Sequence, residues 1–195
     1  MKRGRSIVQL TGSLLIIIAV LLLVPLVVAF IYDEGFIVYK SFIYTSLLAL
    51  LLGVAFRLLT RKHQSSLDLA TSMIMCTVSW VLLSLIGAIP FMIGLDKSFI
   101  DAFFEAVSGF TTTGITVFSG LDEMSYAILF WRSFIQWLGG LGILTFFLFV
   151  TANSEGDLWN LFGAEGHKIS ASRPVPNVYR TIRYFWGIYS VFSLA

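Results

Sequence analysis

Residues 98–123 read SFIDAFFEAVSGFTTTGITVFSGLDE, too apolar for an ordinary loop and too short to cross a membrane twice. Ser98 with Asp101 three residues later has the form of a capping box. Phe99, Ile100, Ala102, Phe103, Phe104, Ala106 and Val107 continue it as a short apolar helix, which Gly109 is expected to end. Phe110-Thr111-Thr112-Thr113-Gly114-Ile115-Thr116-Val117 then forms a Thr- and Gly-rich run, expected to be extended. Helix, extended run and return to the same side describe a re-entrant pore loop. Backbone of that kind is tolerated at membrane depth only where protein buries it or water reaches it. The competing reading is an interfacial helix followed by a polar turn, a frequent pattern.

The flanks decide whether a membrane is present. Leu69–Leu95 precedes the segment without a charge, and Met124–Asn153 follows it, interrupted by Arg132 alone. Further upstream lie Ser13–Ile31, uncharged and bent by Pro25, and Ser41–Thr60, apolar except for Arg57 near its end. Each run has the roughly 20 residues that a crossing needs. The first is longer than a signal-peptide core and lacks a small-residue cleavage site, so it reads as a retained helix. Tyr184–Ala195 is apolar and aromatic but only twelve residues long, so it reads as the beginning of a helix.

Composition agrees with four crossings. Of 195 residues, 57% are hydrophobic and 12% charged, and mean hydropathy is +0.89. Soluble domains carry about 25% charged residues, so a water-soluble globule is excluded. Cys76 is the sole cysteine, which excludes a disulfide scaffold, and a net charge of +2 with dispersed basic residues gives no nucleic-acid footprint. Lys2, Arg3, Arg5, Arg57, Arg61, Lys62, Lys168, Arg173, Arg180 and Arg183 fall on one side, while Asp33, Glu34, Asp96, Asp101, Glu105, Asp122 and Glu123 fall on the other, with Lys40 and Lys97 as the only basic residues there. The positive-inside rule then makes the N-terminus cytoplasmic.

The fold is therefore expected to be an all-α integral membrane protein. Residues 1–66 form a two-helix membrane segment and 67–153 a helix–pore loop–helix repeat. Residues 154–183 form a cytoplasmic connection, and 184–195 start a further repeat.

The chemistry available to the loop is ion coordination. Carbonyl oxygens can replace the hydration shell of a potassium ion. Thr111, Thr112 and Thr113 are β-branched and favour extended backbone, Gly114 permits angles that other residues avoid, and the helix C-terminus favours cations. Ile115 and Thr116 complete the segment. Arg132 is expensive inside a membrane unless paired, with Glu105 or Asp101 as partner, or unless it snorkels to the headgroups. Gly139, Gly140 and Gly142 serve either a hinge or close helix packing. His63 and His167 have no partner at metal-ligand spacing, and neither HExxH nor a Ser/His arrangement occurs, so no enzyme site and no cofactor are expected. The tryptophans read as belt or packing residues.

Phe103-Phe104-Glu105-Ala106-Val107-Ser108-Gly109-Phe110-Thr111-Thr112-Thr113-Gly114, followed by Phe130-Trp131-Arg132-Ser133-Phe134-Ile135-Gln136-Trp137-Leu138-Gly139-Gly140-Leu141-Gly142, resembles the Trk/Ktr potassium-uptake transporters in their first repeat. The helix pair before Leu69 resembles the extra pair of the Trk branch. Gly163-Ala164-Glu165-Gly166 is similar to the family's entry into its second repeat. The resemblance implies a membrane subunit of a potassium uptake system in a prokaryotic inner membrane, passing potassium, with protons or sodium as possible coupled ions. Its filter is carbonyl-lined, with Thr111, Thr112, Thr113, Gly114, Ile115 and Thr116 as the first of four segments around one pore. It further implies a homodimer on a cytoplasmic ring of nucleotide-binding regulatory subunits, with Arg173-Pro174-Val175-Pro176 facing that ring. A glycine at 114 implies potassium selectivity, since serine there in plant relatives goes with sodium passage. One pore loop out of four makes the chain an N-terminal portion of such a transporter; the alternative is a non-conducting scaffold with a vestigial loop.

Overall fold

The computed structural model describes residues 2–60, 69–153 and 178–194. The connection around Gly163–Gly166, the Arg173–Pro176 linker and both histidines lie outside them. Seven α-helices run through the described residues, which contain no strand: α1 (Lys2–Leu21), α2 (Val24–Ile31), α3 (Phe36–Leu59), α4 (Leu69–Leu95), α5 (Phe99–Phe110), α6 (Tyr126–Asn153) and α7 (Val178–Leu194). Ile7–Ile31, Phe36–Leu59 and Met73–Leu95 are long and apolar enough to cross a membrane. Helix α6 has 28 residues and, in sequence, a single charge; at 1.5 Å per residue it reaches about 42 Å, beyond the hydrocarbon core.

The first span is a broken helix. Pro25 stands in the first turn of α2, and its ring excludes a helical carbonyl four residues back, at the Leu21 where α1 ends. Helix α1 begins at Lys2, well before the apolar run. Helix α7 begins at Val178, six residues ahead of Tyr184. Arg180 and Arg183 hid that start, because a hydropathy reading sees charges where a helix continues.

The chain forms two compact units, 1–139 and 140–195. In the first, α1 lies against α3 at two glycines: a Cβ on Gly53 would come within 2.8 Å of the Gly12 carbonyl oxygen. Ser46 Oγ donates to the Ala19 carbonyl at 2.7 Å across the same contact. Small residues at a membrane helix crossing permit this approach. Trp131 of α6 fills the centre with no exposed surface. Its indole N–H donates to the Gly87 carbonyl of α4 at 3.0 Å, and its ring meets Phe42 of α3 edge-on, centroids 6.1 Å apart. Three helices thus share one side chain, which sets the depth of α6. In the second unit, Gly140 of α6 faces the Tyr189 hydroxyl, and Trp186 Nε1 donates to Thr145 Oγ1 at 3.0 Å.

The other end of α6 is held by Glu34, from the α2–α3 connection. Its Oε1 accepts from the Ala127 N–H at 3.0 Å, and its Oε2 accepts from the Ser125 hydroxyl. A carboxylate there meets the positive end of the helix dipole, and Tyr32 stacks on Tyr126 beside it, centroids 4.2 Å apart. Glu34→Ala is expected to cost about 1–2 kcal/mol, as loss of a helix cap does. Thermal unfolding in detergent reads this, and Glu34→Gln, which keeps an acceptor, should lie between wild type and alanine.

Candidate functional site

Helix α5 starts as its sequence implies: Ser98 Oγ accepts from the Asp101 N–H at 3.2 Å and donates to the Asp101 carboxylate at 2.8 Å. That bond occupies Asp101, leaving Glu105 for Arg132. The helix does not stop at Gly109. It runs one residue further, and Gly109 is buried within it, because a Cβ there would lie 2.5 Å from Ile135 Cδ1 on α6. Glycine serves close approach here, not termination.

Termination falls to the threonines, which corrects the expectation of a continuous extended run. Thr111 caps the helix at φ −88°, ψ 2°, and Thr112 takes the left-handed conformation at φ +57°. The Thr112 N–H bonds the Gly109 carbonyl and the Thr113 N–H bonds the Ser108 carbonyl, both at 2.9 Å. This is the Schellman pattern, normally completed by glycine. A β-branched residue in that conformation costs about 1–2 kcal/mol, so the surrounding bonds hold Thr112 in strain. Thr113 returns to negative φ and Gly114 is left-handed again at φ +75°.

The alternation has a directional consequence. The N–H groups of Thr111, Thr112 and Thr113 point back into the end of α5. In trans peptide units C=O lies antiparallel to N–H, and no cis bond occurs among the described residues. The carbonyls of Thr111 and Thr112 therefore face away from the helix, as does that of Thr113, whose Gly114 N–H reaches the Ser108 carbonyl at 3.4 Å. They join the partial negative charge at the helix C-terminus.

Beyond Gly114 the limb climbs back along α5, fastened at two points three residues apart on one helix face. Ser108 Oγ donates to the Ile115 carbonyl at 2.6 Å. Glu105 Oε2 accepts from Thr116 Oγ1 at 2.9 Å and from the Val117 N–H at 3.2 Å. Glu105 Oε1 takes Arg132 Nε and Nη2, each at 2.6 Å. The carboxylate is 4% exposed, so it unites α5, the limb and α6 away from bulk solvent. The Thr116 hydroxyl spends its one proton on Glu105, and its oxygen also accepts from the Phe118 N–H at 3.1 Å.

The three glycines of α6 differ. A Cβ on Gly139 would fall on the Phe110 carbonyl, with its carbon 2.8 Å away, whereas Gly142 has open space around it. Gly139 and Gly140 thus sit at close contacts. Gly139→Ala is expected to push α6 off the end of α5 and to cost about 1–3 kcal/mol, as overpacking does, with Gly142→Ala neutral in the same unfolding assay.

Ser108 and Gln136 belong to the site, and Glu34 holds the start of α6, without having been singled out from sequence. Ser108 shares a face with Glu105, and Gln136 stands one turn from Arg132, spacings that could have flagged both. For Glu34 no local signal exists, because its partners are about ninety residues away. No group of three or more metal-ligating side chains occurs among the described residues.

The family model for TrkH, described as a cation transport protein, matches residues 38–194. The Trk system potassium uptake protein TrkH of Vibrio parahaemolyticus is 34% identical over 194 residues, covering 98% of this chain and 40% of that protein. Its namesake in Escherichia coli K12 is 31% identical over the same span. Among solved structures, the crystal structure of the potassium transporter TrkH from Vibrio parahaemolyticus superimposes with a TM-score of 0.77 at 32% identity, covering 95% of this chain and 36% of that one. The chain spans about two-fifths of the length of these relatives.

Proposed function

The chain belongs to the TrkH family of cation transport proteins, and from that premise we propose that it forms the first pore-lining part of a potassium uptake transporter. The observation that carries this reading is the backbone at the end of α5. Alternating hand from Thr111 to Gly114 turns successive carbonyls away from the helix, so that their oxygens can stand in for water around a potassium ion. Ile115 and Thr116 continue the path. Glu105 and Arg132 brace it from behind, so the fixed charges shape the backbone while neutral oxygens meet the ion. Coordination and passage, rather than bond-making, are the work of the site.

The division into residues 1–66, 67–153, 154–183 and 184–195 follows the same reading, save that α7 carries the last start back to Val178, with residues 1–66 a membrane buttress tied to the repeat by Glu34. The basic N-terminus and the Arg57 end of α3 face the cytoplasm under the positive-inside rule, in a prokaryotic inner membrane. Three further repeats complete the pore. The assembled transporter pairs as a homodimer, sits on a ring of nucleotide-binding subunits and moves potassium alone or with protons or sodium.

Complementation tests this. The longest natural reading frame containing the chain should restore growth at low potassium to cells lacking their own uptake systems. Membrane-inserted protein that restores no growth would support a scaffold instead.

A further inference from the structure

Beside the loop is a recess with room of about 20 Å³, open to the surface at Gly114 and Ile115 of the loop and Gln136 of α6, and backed by Glu105 and Ser108 of α5 and Arg132 of α6. One water molecule needs about 10–15 Å³ and two to four polar partners. The partners are at hand. Arginine carries five N–H donors; those of Arg132 that bond within the described residues are Nε and Nη2, both directed to Glu105 Oε1, which leaves Nη1 without an acceptor there. The Gln136 amide and the Ile115 N–H have no partner among the described residues either. Gln136 Nε2 stands 3.6 Å from where a Gly114 Cβ would be, beside the loop backbone.

Charge selects the occupant. Arg132 and Glu105 neutralise one another at 2.6 Å. A cation would meet the guanidinium and an anion the carboxylate, so a small neutral molecule with both donor and acceptor capacity fits. We propose that the recess holds one ordered water, shared by Arg132 and Gln136 with the backbone at Gly114–Ile115, and that Gln136 is a positioning residue for the loop. The inference rests on the pore reading above. Bridging water is nearly as effective as a direct hydrogen bond, and here it adds an α6 tether to a limb otherwise fastened to α5.

The test uses the longest natural reading frame, purified and reconstituted in proteoliposomes. Gln136→Met, similar in length and without a hydrogen-bonding amide, should lower the rubidium-over-sodium influx ratio about fivefold, the factor one hydrogen bond is worth. Its unfolding temperature should stay at the wild-type value. Gln136→Asn keeps the amide and leaves space for a second water, so its ratio should remain within about twofold of wild type. A density map that resolves ordered water should show a peak between Arg132 and Gln136. An empty recess, or a bromide-replaceable anion in it, overturns the proposal, as does an unchanged ratio in Gln136→Met. Gly114→Ser separates the two claims: if it shifts the ratio while Gln136→Met does not, the water fails and the pore reading stands. If the wild-type protein moves no rubidium, the pore reading fails and the map still decides the water.

Discussion

Glu105→Ala is expected to destabilise the protein by about 3–5 kcal/mol, the cost of breaking a buried ion pair from one side. Alanine removes all four hydrogen bonds that the carboxylate accepts. It strands the Arg132 guanidinium, whose side chain is 22% exposed, and leaves the Thr116 hydroxyl and Val117 N–H without that partner. Unfolding in detergent should therefore shift to much lower temperature, and rubidium influx should fall with it, because the limb loses its anchor beside Gly114. Glu105→Gln keeps the shape but presents an N–H₂ to groups that are themselves donors, so it should recover only part of the loss. The combination of Glu105→Leu with Arg132→Leu should be milder than either alone, since no charge is then left unpaired. Wild-type stability in Glu105→Ala would refute the bracing role.

Gly114→Ser should reduce potassium preference over sodium by about 5–30-fold, the factor equivalent to about 1–2 kcal/mol of backbone strain at one site. The cause is conformational. Gly114 holds φ +75°, yet a Cβ would touch nothing closer than Gln136 Nε2 at 3.6 Å. Ordinary contact distance leaves room for the side chain but not for its preferred backbone. Gly114→Ala should then shift the ratio as far as serine does. If only serine shifts it, the hydroxyl rather than the backbone is responsible and this explanation of Gly114 is wrong. The two substitutions also separate Gly114 from Gly139, where space and not angle forbids a side chain.

Most of the helical plan could be read from residue order. Apolar runs mark membrane spans because a spanning helix must satisfy its backbone internally and cover itself with apolar side chains. The capping pair Ser98 and Asp101 located the start of α5 for an equally local reason. Arg132 demanded a partner, and Glu105 was one of two candidates. What stayed hidden was set by tertiary contact. Gly109 looks like a helix stop until Ile135 is seen packed on it. Thr112 looks extended by propensity, whereas the returning limb and the end of α5 force it left-handed. Ser125 caps α6 with help from Glu34, a residue that no window around position 125 contains.

Rubidium and sodium influx, measured side by side in proteoliposomes of the longest natural reading frame, bear most directly on whether the Thr111–Thr116 backbone conducts. The expected result is saturable rubidium influx that exceeds sodium influx in wild type, with the preference lost in Gly114→Ser while the protein remains folded and inserted. Folded, inserted protein that carries neither ion, or a preference that Gly114→Ser leaves untouched, would contradict the assignment of this loop as a potassium filter.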